Sequence, residues 1–349
     1  MGSLRVIHAI RSDGFSGVER HVLRLAVAQA QAGDAVHVIG GHPDRMRVPL
    51  ADAGVGHTAA ARTLEVVGAL RGLRGHADVV NTHMTAADVA AVVALRWQRG
   101  RPAVVSTRHF ASARGRVGPL PLDRLVGGTV DAELAISRAV AASIGRPSTV
   151  VHSGLDPRDF PRLAREEVIL IAQRLQPEKQ TAVGLAAFAR SGLAAAGWTL
   201  RIAGFGPERQ ALEAMAQDLG VASSTEFLGY RTDVPDLMDR SGILLAPCAV
   251  EGLGLTVLEA MQSGLPVVAA DAGGHIELLD GLEPRPLFTP DDPQSAAEAL
   301  LTLAGAEADR SRLGAAERAR QQEDYTIDAQ VRGTDAVYRD AIHKRRNRA

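Results

Sequence analysis

The sequence predicts an α/β protein of two Rossmann-like domains, each a doubly wound parallel sheet, facing one another across a cleft. Three observations carry this. At 349 residues the chain exceeds one ordinary domain and suits two. Hydrophobic residues make up 46% of it but aromatics only 3%, so the cores must be built from Ala, Val, Leu and Ile, as in parallel sheets covered by helices. Short apolar runs also alternate with amphipathic stretches along both halves.

The first half opens with a strand over 4–10, a helix over 18–31 and a strand over 35–39. Apolar runs at 79–80, 103–106 and 132–136 follow, separated by Ala-rich helical stretches such as 86–97. The first domain ends near 160, where Asp156-Pro157-Arg158-Asp159-Phe160-Pro161 carries two prolines and opens a polar stretch to Glu167, as a linker does. A second domain over 161–328 repeats the pattern. Its strands read over 168–172, 199–203, 225–228, 243–246 and 267–270, with helices over 181–191 and 208–219. After residue 294 the chain reads as helical. Residues 329–349 are expected to pack back on the first domain and to end in a frayed basic tail, His343-Lys344-Arg345-Arg346-Asn347-Arg348. In such an architecture ligands sit beyond the carboxyl ends of the strands, here between the two sheets, and the lobes are expected to close on them.

The single cysteine, Cys248, excludes an internal disulfide framework and any Cys-rich zinc site, and fits a reducing, cytoplasmic setting. No run of about 18 apolar residues and no basic segment leading into a long apolar stretch points to a transmembrane helix or a signal peptide. Residues 1–165 hold 21 Arg or Lys against 13 Asp or Glu, a balance of +8; residues 166–349 hold 18 against 27, a balance of −9, and the two sum to −1. A basic first half suits an anionic or amphiphilic acceptor, or peripheral contact with an anionic membrane surface. Dispersed arginines, 37 against 2 lysines, equally fit a compositional bias. Nothing points to nucleic acid.

Three segments carry chemistry. The loop Asp13-Gly14-Phe15-Ser16-Gly17-Val18-Glu19 joins a strand to a helix and lets backbone N–H groups approach a phosphate, although it is not the G-x-G-x-x-G fingerprint and such turns are common. Gln173-Arg174-Leu175-Gln176-Pro177-Glu178-Lys179 places two cations five residues apart at a strand end. A diphosphate leaving group needs such charge, while a solvated surface loop would carry it as well. In Glu251-Gly252-Leu253-Gly254-Leu255-Thr256-Val257-Leu258-Glu259, the glycines open a helix that Gly264 closes. Both carboxylates can then face a ligand held by free helical N–H groups, and a buried Glu259 would want a partner.

In this order, these segments make the chain resemble family 4 of the retaining glycosyltransferases, which have the GT-B fold. Thr107-Arg108-His109, Ala135-Ile136-Ser137, His152-Ser153-Gly154-Leu155-Asp156, Ala203-Gly204-Phe205-Gly206-Pro207 and Phe227-Leu228-Gly229 extend the likeness over almost the whole chain. The E-x7-E pair Glu251 and Glu259 is its most diagnostic part, with Leu253 where similar proteins usually have Phe. The resemblance implies that Arg174 and Lys179 bind the donor diphosphate, Glu259 the ribose, Glu251 the donor sugar, and the Gly254-Leu255 backbone the phosphates. Gly17 and Gly204 would contribute to the same donor site, Gly17 with an N–H from the facing domain. His109 would lie near the transferred sugar, and Gly229 with Tyr230 would hold the base. Taken alone, His109 reads more often as a structural residue, and Tyr230 equally as ordinary packing.

The implied activity is metal-independent transfer, with retention, of a hexose or N-acetylhexosamine from a UDP- or GDP-sugar to a hydroxyl of a small-molecule, lipid or glycan acceptor. The leaving phosphate would help deprotonate the acceptor. No Asp-x-Asp occurs, no His or Cys spacing suggests a metal site, and no cofactor is implied beyond the nucleotide-sugar substrate. A nucleotide-sugar epimerase of the same architecture and a non-catalytic nucleotide-sugar binder are the rivals. A pyridoxal phosphorylase would need a cofactor lysine, and only Lys179 and Lys344 exist. The segment 108–118, with Arg108, Arg114, Arg116 and Gly118, reads as a mobile acceptor loop.

Overall fold

The computed structural model describes residues 2–117, 120–158 and 164–347; Gly118, Asp159, Phe160, Pro161 and Arg348 of the segments above lie outside them. The chain divides into two units, Met1–Asp156 with Thr326–Ala349, and Pro157–Tyr325. These divisions fall at 156 and 325, against 160 and 328 in the sequence reading.

The first unit contains β1 (Arg5–Ile10), β2 (Ala35–Ile39), β3 (Gly56–Thr58), β4 (Val79–His83) and β5 (Ala103–Arg108). A short antiparallel ladder of β6 (Arg116–Val117) and β7 (Leu120–Pro121) follows, then β8 (Ala132–Ala135) and β9 (Thr149–Val150). Seven strands form one parallel sheet in the order β3-β2-β1-β4-β5-β8-β9. The second unit holds β10 (Val168–Ala172), β11 (Thr199–Ala203), β12 (Thr225–Gly229), β13 (Ile243–Ala246), β14 (Val267–Ala270) and β15 (Leu287–Phe288). Its parallel order is β12-β11-β10-β13-β14-β15. In both sheets the first strand lies between the second and the fourth. The order therefore reverses between β1 and β4 and between β10 and β13, and the crevice of a doubly wound sheet opens at such a switch point.

Alternation along the strands decides what each face buries. Leu4, Val6, Val79, Ala103 and Val105 pack with Val22 and Ala26 of the Gly17–Gln31 helix and with Val337, Tyr338 and Ala341 of the Ile327–Arg346 helix. Ile7, Ala9, Val80 and Val104 pack on the other face against Val66, Leu70, Ala90 and Ala94. On the first face the same alternation turns polar toward the carboxyl ends, reading His8 on β1, Asn81 and His83 on β4, and Thr107 then His109 on and just past β5.

The Ile327–Arg346 helix belongs to the first unit. Ile327 N–H donates to Leu155 O at 3.0 Å, and Gly154 lies so close that a Cβ there would stand 2.1 Å from Thr326 O. The basic tail read as frayed is instead helical through Arg346. Lys344 pairs with Asp340 at 2.5 Å, one helical turn back, and Arg345 Nε donates to Arg101 O at 3.1 Å.

Candidate functional site

At the switch point of the second unit the loops after β10 and β13 are stitched together. Gln173 Nε2 donates to Lys179 O at 2.8 Å and to Thr181 Oγ1 at 3.0 Å, folding the Gln173–Gln180 stretch back on itself. Ala249 N–H donates to Gln180 Oε1 at 3.1 Å, and the Cys248 thiol lies 3.3 Å from Glu178 O. Lys179 Nζ thereby meets Glu251 Oε2 at 2.5 Å. Burial works against charge on both partners, but their attraction outweighs it, holding the Lys179 ammonium above its ordinary value and the Glu251 carboxyl below its own. Both are charged at neutral pH. Burial, followed by the Glu251 carboxylate, pushes the Cys248 thiol up to about 11, so it is protonated and inert there.

Arg174 is exposed, 3.8 Å from Glu178, and close enough for its charge to act on Lys179. Gly254 precedes the Leu255–Gln262 helix at φ +97°, where a Cβ would lie 2.9 Å from the ring of buried His275. That backbone leaves the first N–H groups of the helix without helical partners. Glu259, in the second turn, is half-buried, so it is not the enclosed acid the sequence allowed for. Gly204 packs on the first loop, a Cβ there falling 1.8 Å from Gln173 O. Past Gly229, Tyr230 stands exposed edge-to-face with Phe205 at 5.9 Å.

In the first unit the Gly14–Gly17 loop is held by Glu19. Its carboxylate accepts from Ser12 Oγ at 2.5 Å, Ser16 N–H at 2.8 Å and Ser16 Oγ at 2.7 Å. Glu19 thus closes a capping box at the helix that Gly17 begins. Beside it lies a cluster of buried histidines that sequence spacing missed. His8 Nδ1 is 3.0 Å from His83 Nε2, and His83 Nδ1 is 3.0 Å from His109 Nε2. The His21 ring stands edge-on to that of His109, with centroids 4.7 Å apart. Ring nitrogens of His21, His83 and His109 lie within 4.8 Å of one another, a grouping able in principle to hold a metal. Both His83 nitrogens are already engaged with neighbouring rings, so an ion would have to displace those hydrogen bonds. Burial lowers His8 and His109 to about 4 and drives His21 and His83 well down, so all four rings are neutral at pH 7.

The acceptor-loop reading of 108–118 needs correction. Arg114 is fully enclosed, its side chain 0% exposed, and every guanidinium nitrogen is engaged. It donates to Asp88 at 2.7 Å, Asp123 at 2.7 Å, Ser106 at 2.8 Å, and Glu133 at 2.9 and 3.0 Å. Arg108 is buried too and donates to Ser112 O at 2.5 Å. Of the three arginines only Arg116 faces solvent.

Residues 15–159 match the family model of Glycosyltransferase Family 4, and residues 156–320 match that of Glycosyl transferases group 1. The lipopolysaccharide core biosynthesis mannosyltransferase of Rhizobium meliloti is 32% identical over 60% of this chain and 65% of its own length. An exopolysaccharide phosphotransferase of Streptomyces coelicolor is 35% identical over 41% of this chain but only 15% of its own. The chain thus spans less than two thirds of these relatives. Among solved structures, Anabaena HepE in complex with UDP superposes with a TM-score of 0.81 at 18% identity, over 97% of this chain and 100% of that one. Sucrose-phosphate synthase of Thermosynechococcus elongatus gives 0.78 at 17%, over 97% and 100%. These likenesses show the fold, two parallel-sheet Rossmann-like domains of the GT-B type. With both halves matched in order, the chain belongs to the glycosyl transferases, family 4 in its first half and group 1 in its second.

Proposed function

We propose that the protein transfers a hexose or N-acetylhexosamine, with retention and without a metal ion, from a UDP- or GDP-sugar to an acceptor hydroxyl. The observation that carries this is the Lys179–Glu251 pair at the second unit's switch point, a cation and an anion held together beside the free N–H groups that follow Gly254. Lys179 and Arg174 take the diphosphate, assisted by the Gly254 and Leu255 backbone, and Glu251 turns to the sugar hydroxyls once a phosphate replaces it at Lys179. Glu259 receives the ribose, Gly204 leaves room for the phosphates, and Gly229 with Tyr230 borders the base. In the first unit Gly17 offers an N–H and His109 a ring nitrogen to the donor.

The bond from the anomeric carbon to the phosphate oxygen breaks while the acceptor oxygen bonds on the same face. The acceptor proton passes to the leaving phosphate, whose charge the two cations stabilise. A uridine donor is favoured by the UDP and UDP-glucose bound to Anabaena HepE. Calorimetry with UDP, GDP, ADP and TDP in EDTA tests the reading. One nucleotide should bind without metal and lose affinity in Lys179→Ala; binding of none, or binding indifferent to Lys179, would overturn it.

A further inference from the structure

The buried histidines of the first unit form a chain with a beginning and an end. Gln29 Nε2 is 3.3 Å from Asp335 Oδ1, on the Ile327–Arg346 helix, and Gln29 Oε1 is 2.7 Å from His8 Nε2. A carboxylate accepts only, so it fixes which end of the Gln29 amide faces it, and the amide oxygen is left toward His8. His8 must then carry its proton on Nε2. Its Nδ1 accepts from His83 Nε2–H, and His83 Nδ1 accepts from His109 Nε2–H, each over 3.0 Å. The direction set at Asp335 passes through two rings and leaves His109 with a lone pair on Nδ1, to which no hydrogen bond runs among the described residues.

His21 is wired separately and the other way round. Gly154 N–H donates to Gln330 Oε1 at 2.7 Å, which turns the Gln330 amide nitrogen toward His21 Nε2 at 3.3 Å. His21 therefore accepts at Nε2 and donates from Nδ1 to Ser153 Oγ at 2.9 Å.

We propose that Asp335, Gln29, His8 and His83 are positioning residues that lock His109 as the Nε2–H tautomer, so that Nδ1 presents a lone pair to the donor sugar. This rests on the reading of His109 as a sugar-facing residue. The chemical gain is one of sign. As the anomeric bond breaks, positive charge grows on the sugar ring, and a lone pair turned toward it is attractive where an N–H would be repulsive. Burial keeps the rings neutral, so the chain orients His109 without charging it. A chain of aligned donors and acceptors is also stiffer than a single bond, because each link polarises the next.

The test is nitrogen NMR of histidine-labelled full-length protein at neutral pH, without ligand. His8, His83 and His109 should show a protonated Nε2 and a pyridine-type Nδ1, and His21 the reverse. In Gln29→Leu, two rings away from His109, and in His83→Leu, the His109 signals should shift toward a mixture of tautomers. In His83→Gln, whose amide donates at one end and accepts at the other, they should stay as in the wild type. A proton on His109 Nδ1 in the wild type, or a His109 tautomer indifferent to both leucine variants, overturns the proposal. Release of UDP from UDP-glucose separates this from the underlying reading. His83→Leu should lower kcat roughly 10- to 100-fold with little change in KM, and His83→Gln should recover most of it. A His109 tautomer that obeys the chain while kcat stays unchanged in His83→Leu would uphold the lock and sink the sugar-facing role instead.

Discussion

The two units repeat one topology and fill its switch point in opposite ways. Between β10 and β13 stand a lysine and a glutamate, half-open to water and charged; between β1 and β4 stand histidines, enclosed and neutral. A charged pair at a partly wet crevice can be opened by an incoming anion, since water and the ligand both compensate what separates. A neutral chain cannot exchange partners so cheaply, because each broken link leaves a buried nitrogen unsatisfied. The first arrangement suits capture of a charged group and the second suits holding one ring in one orientation.

Charge is also buried in the first unit, but on the opposite face of β5, where Ser106 and Arg114 meet Asp88 and Glu133. Arg114→Ala should produce the largest loss of stability, about 3 to 5 kcal/mol, because enclosed Asp88 loses its cation and enclosed Glu133 keeps only Arg146 at 3.4 Å and Arg108 at 3.9 Å. Lys179→Ala should cost far less, since water can reach Glu251. Urea unfolding followed by hydrogen exchange in each unit measures both. Equal losses would erase the distinction between enclosed and half-open charge.

Acid should separate the units next. Unfolded histidine takes up a proton near 6.5, whereas folded His8 and His109 do so only at about 4, so the unfolded state binds protons first as pH falls. Their contribution is full above 6.5 and is lost progressively down to about 4. In the second unit, burial raises Glu317 well above 4.5, which contributes stability below that value and loses it as pH rises through the folded one. Burial raises Asp88 and Asp335 of the first unit in the same sense, and buried His275 opposes Glu317, so the units are separated by their lowered rings, one in the second against five in the first with His37. From pH 7 to 4.5, exchange protection should therefore fall further in β1, β4 and β5 than in β10, β11 and β13. A greater fall in the second unit would refute the assignment of neutral rings.

Where the units agree, one substitution should strike the same contact in both. Gly40, after β2, and Gly204, after β11, each press on the end of the neighbouring first strand: a Cβ would stand 1.8 Å from Ile10 O and from Gln173 O respectively. Gly204→Ala should cost about 1 to 3 kcal/mol, as backbone must move, and Gly40→Ala more, since Gly40 also sits at φ +92°. Only Gly204→Ala should also weaken nucleotide binding, since the displaced strand end carries Arg174 and Lys179. Calorimetry beside thermal unfolding checks both halves of that statement.

These pairings explain what the sequence could and could not reveal. Long strands and helices were readable because their periodicity is local, whereas β3, β9 and β15, of two or three residues, are too short to show one. Lys179, Glu251 and the Gly254 turn were legible because each sits in a marked loop beside a strand. His8 and His83 were not, being 75 residues apart and brought together only by the register of β1 with β4. A faint signal existed in the alternation Val79, Asn81, His83, where an apolar face turns polar at a strand end. Arg114 was misread because glycine, serine and arginine neighbours look like a loop, while its carboxylates lie 26 and 19 residues away.

The smallest effect expected belongs to the second unit alone. Phe205 and Tyr230 are 58% and 54% exposed, and their rings stand edge-to-face. Removing either ring should leave thermal stability nearly unchanged, because little apolar area is buried between them. If the pair borders the base, Tyr230→Ala should weaken UDP binding by about 0.5 to 1.5 kcal/mol, roughly twofold to twelvefold, and Tyr230→Phe should restore it, since stacking needs the ring and not the hydroxyl. Loss in Tyr230→Phe as well would assign the contact to the hydroxyl, and no loss in Tyr230→Ala would move the base away from Gly229.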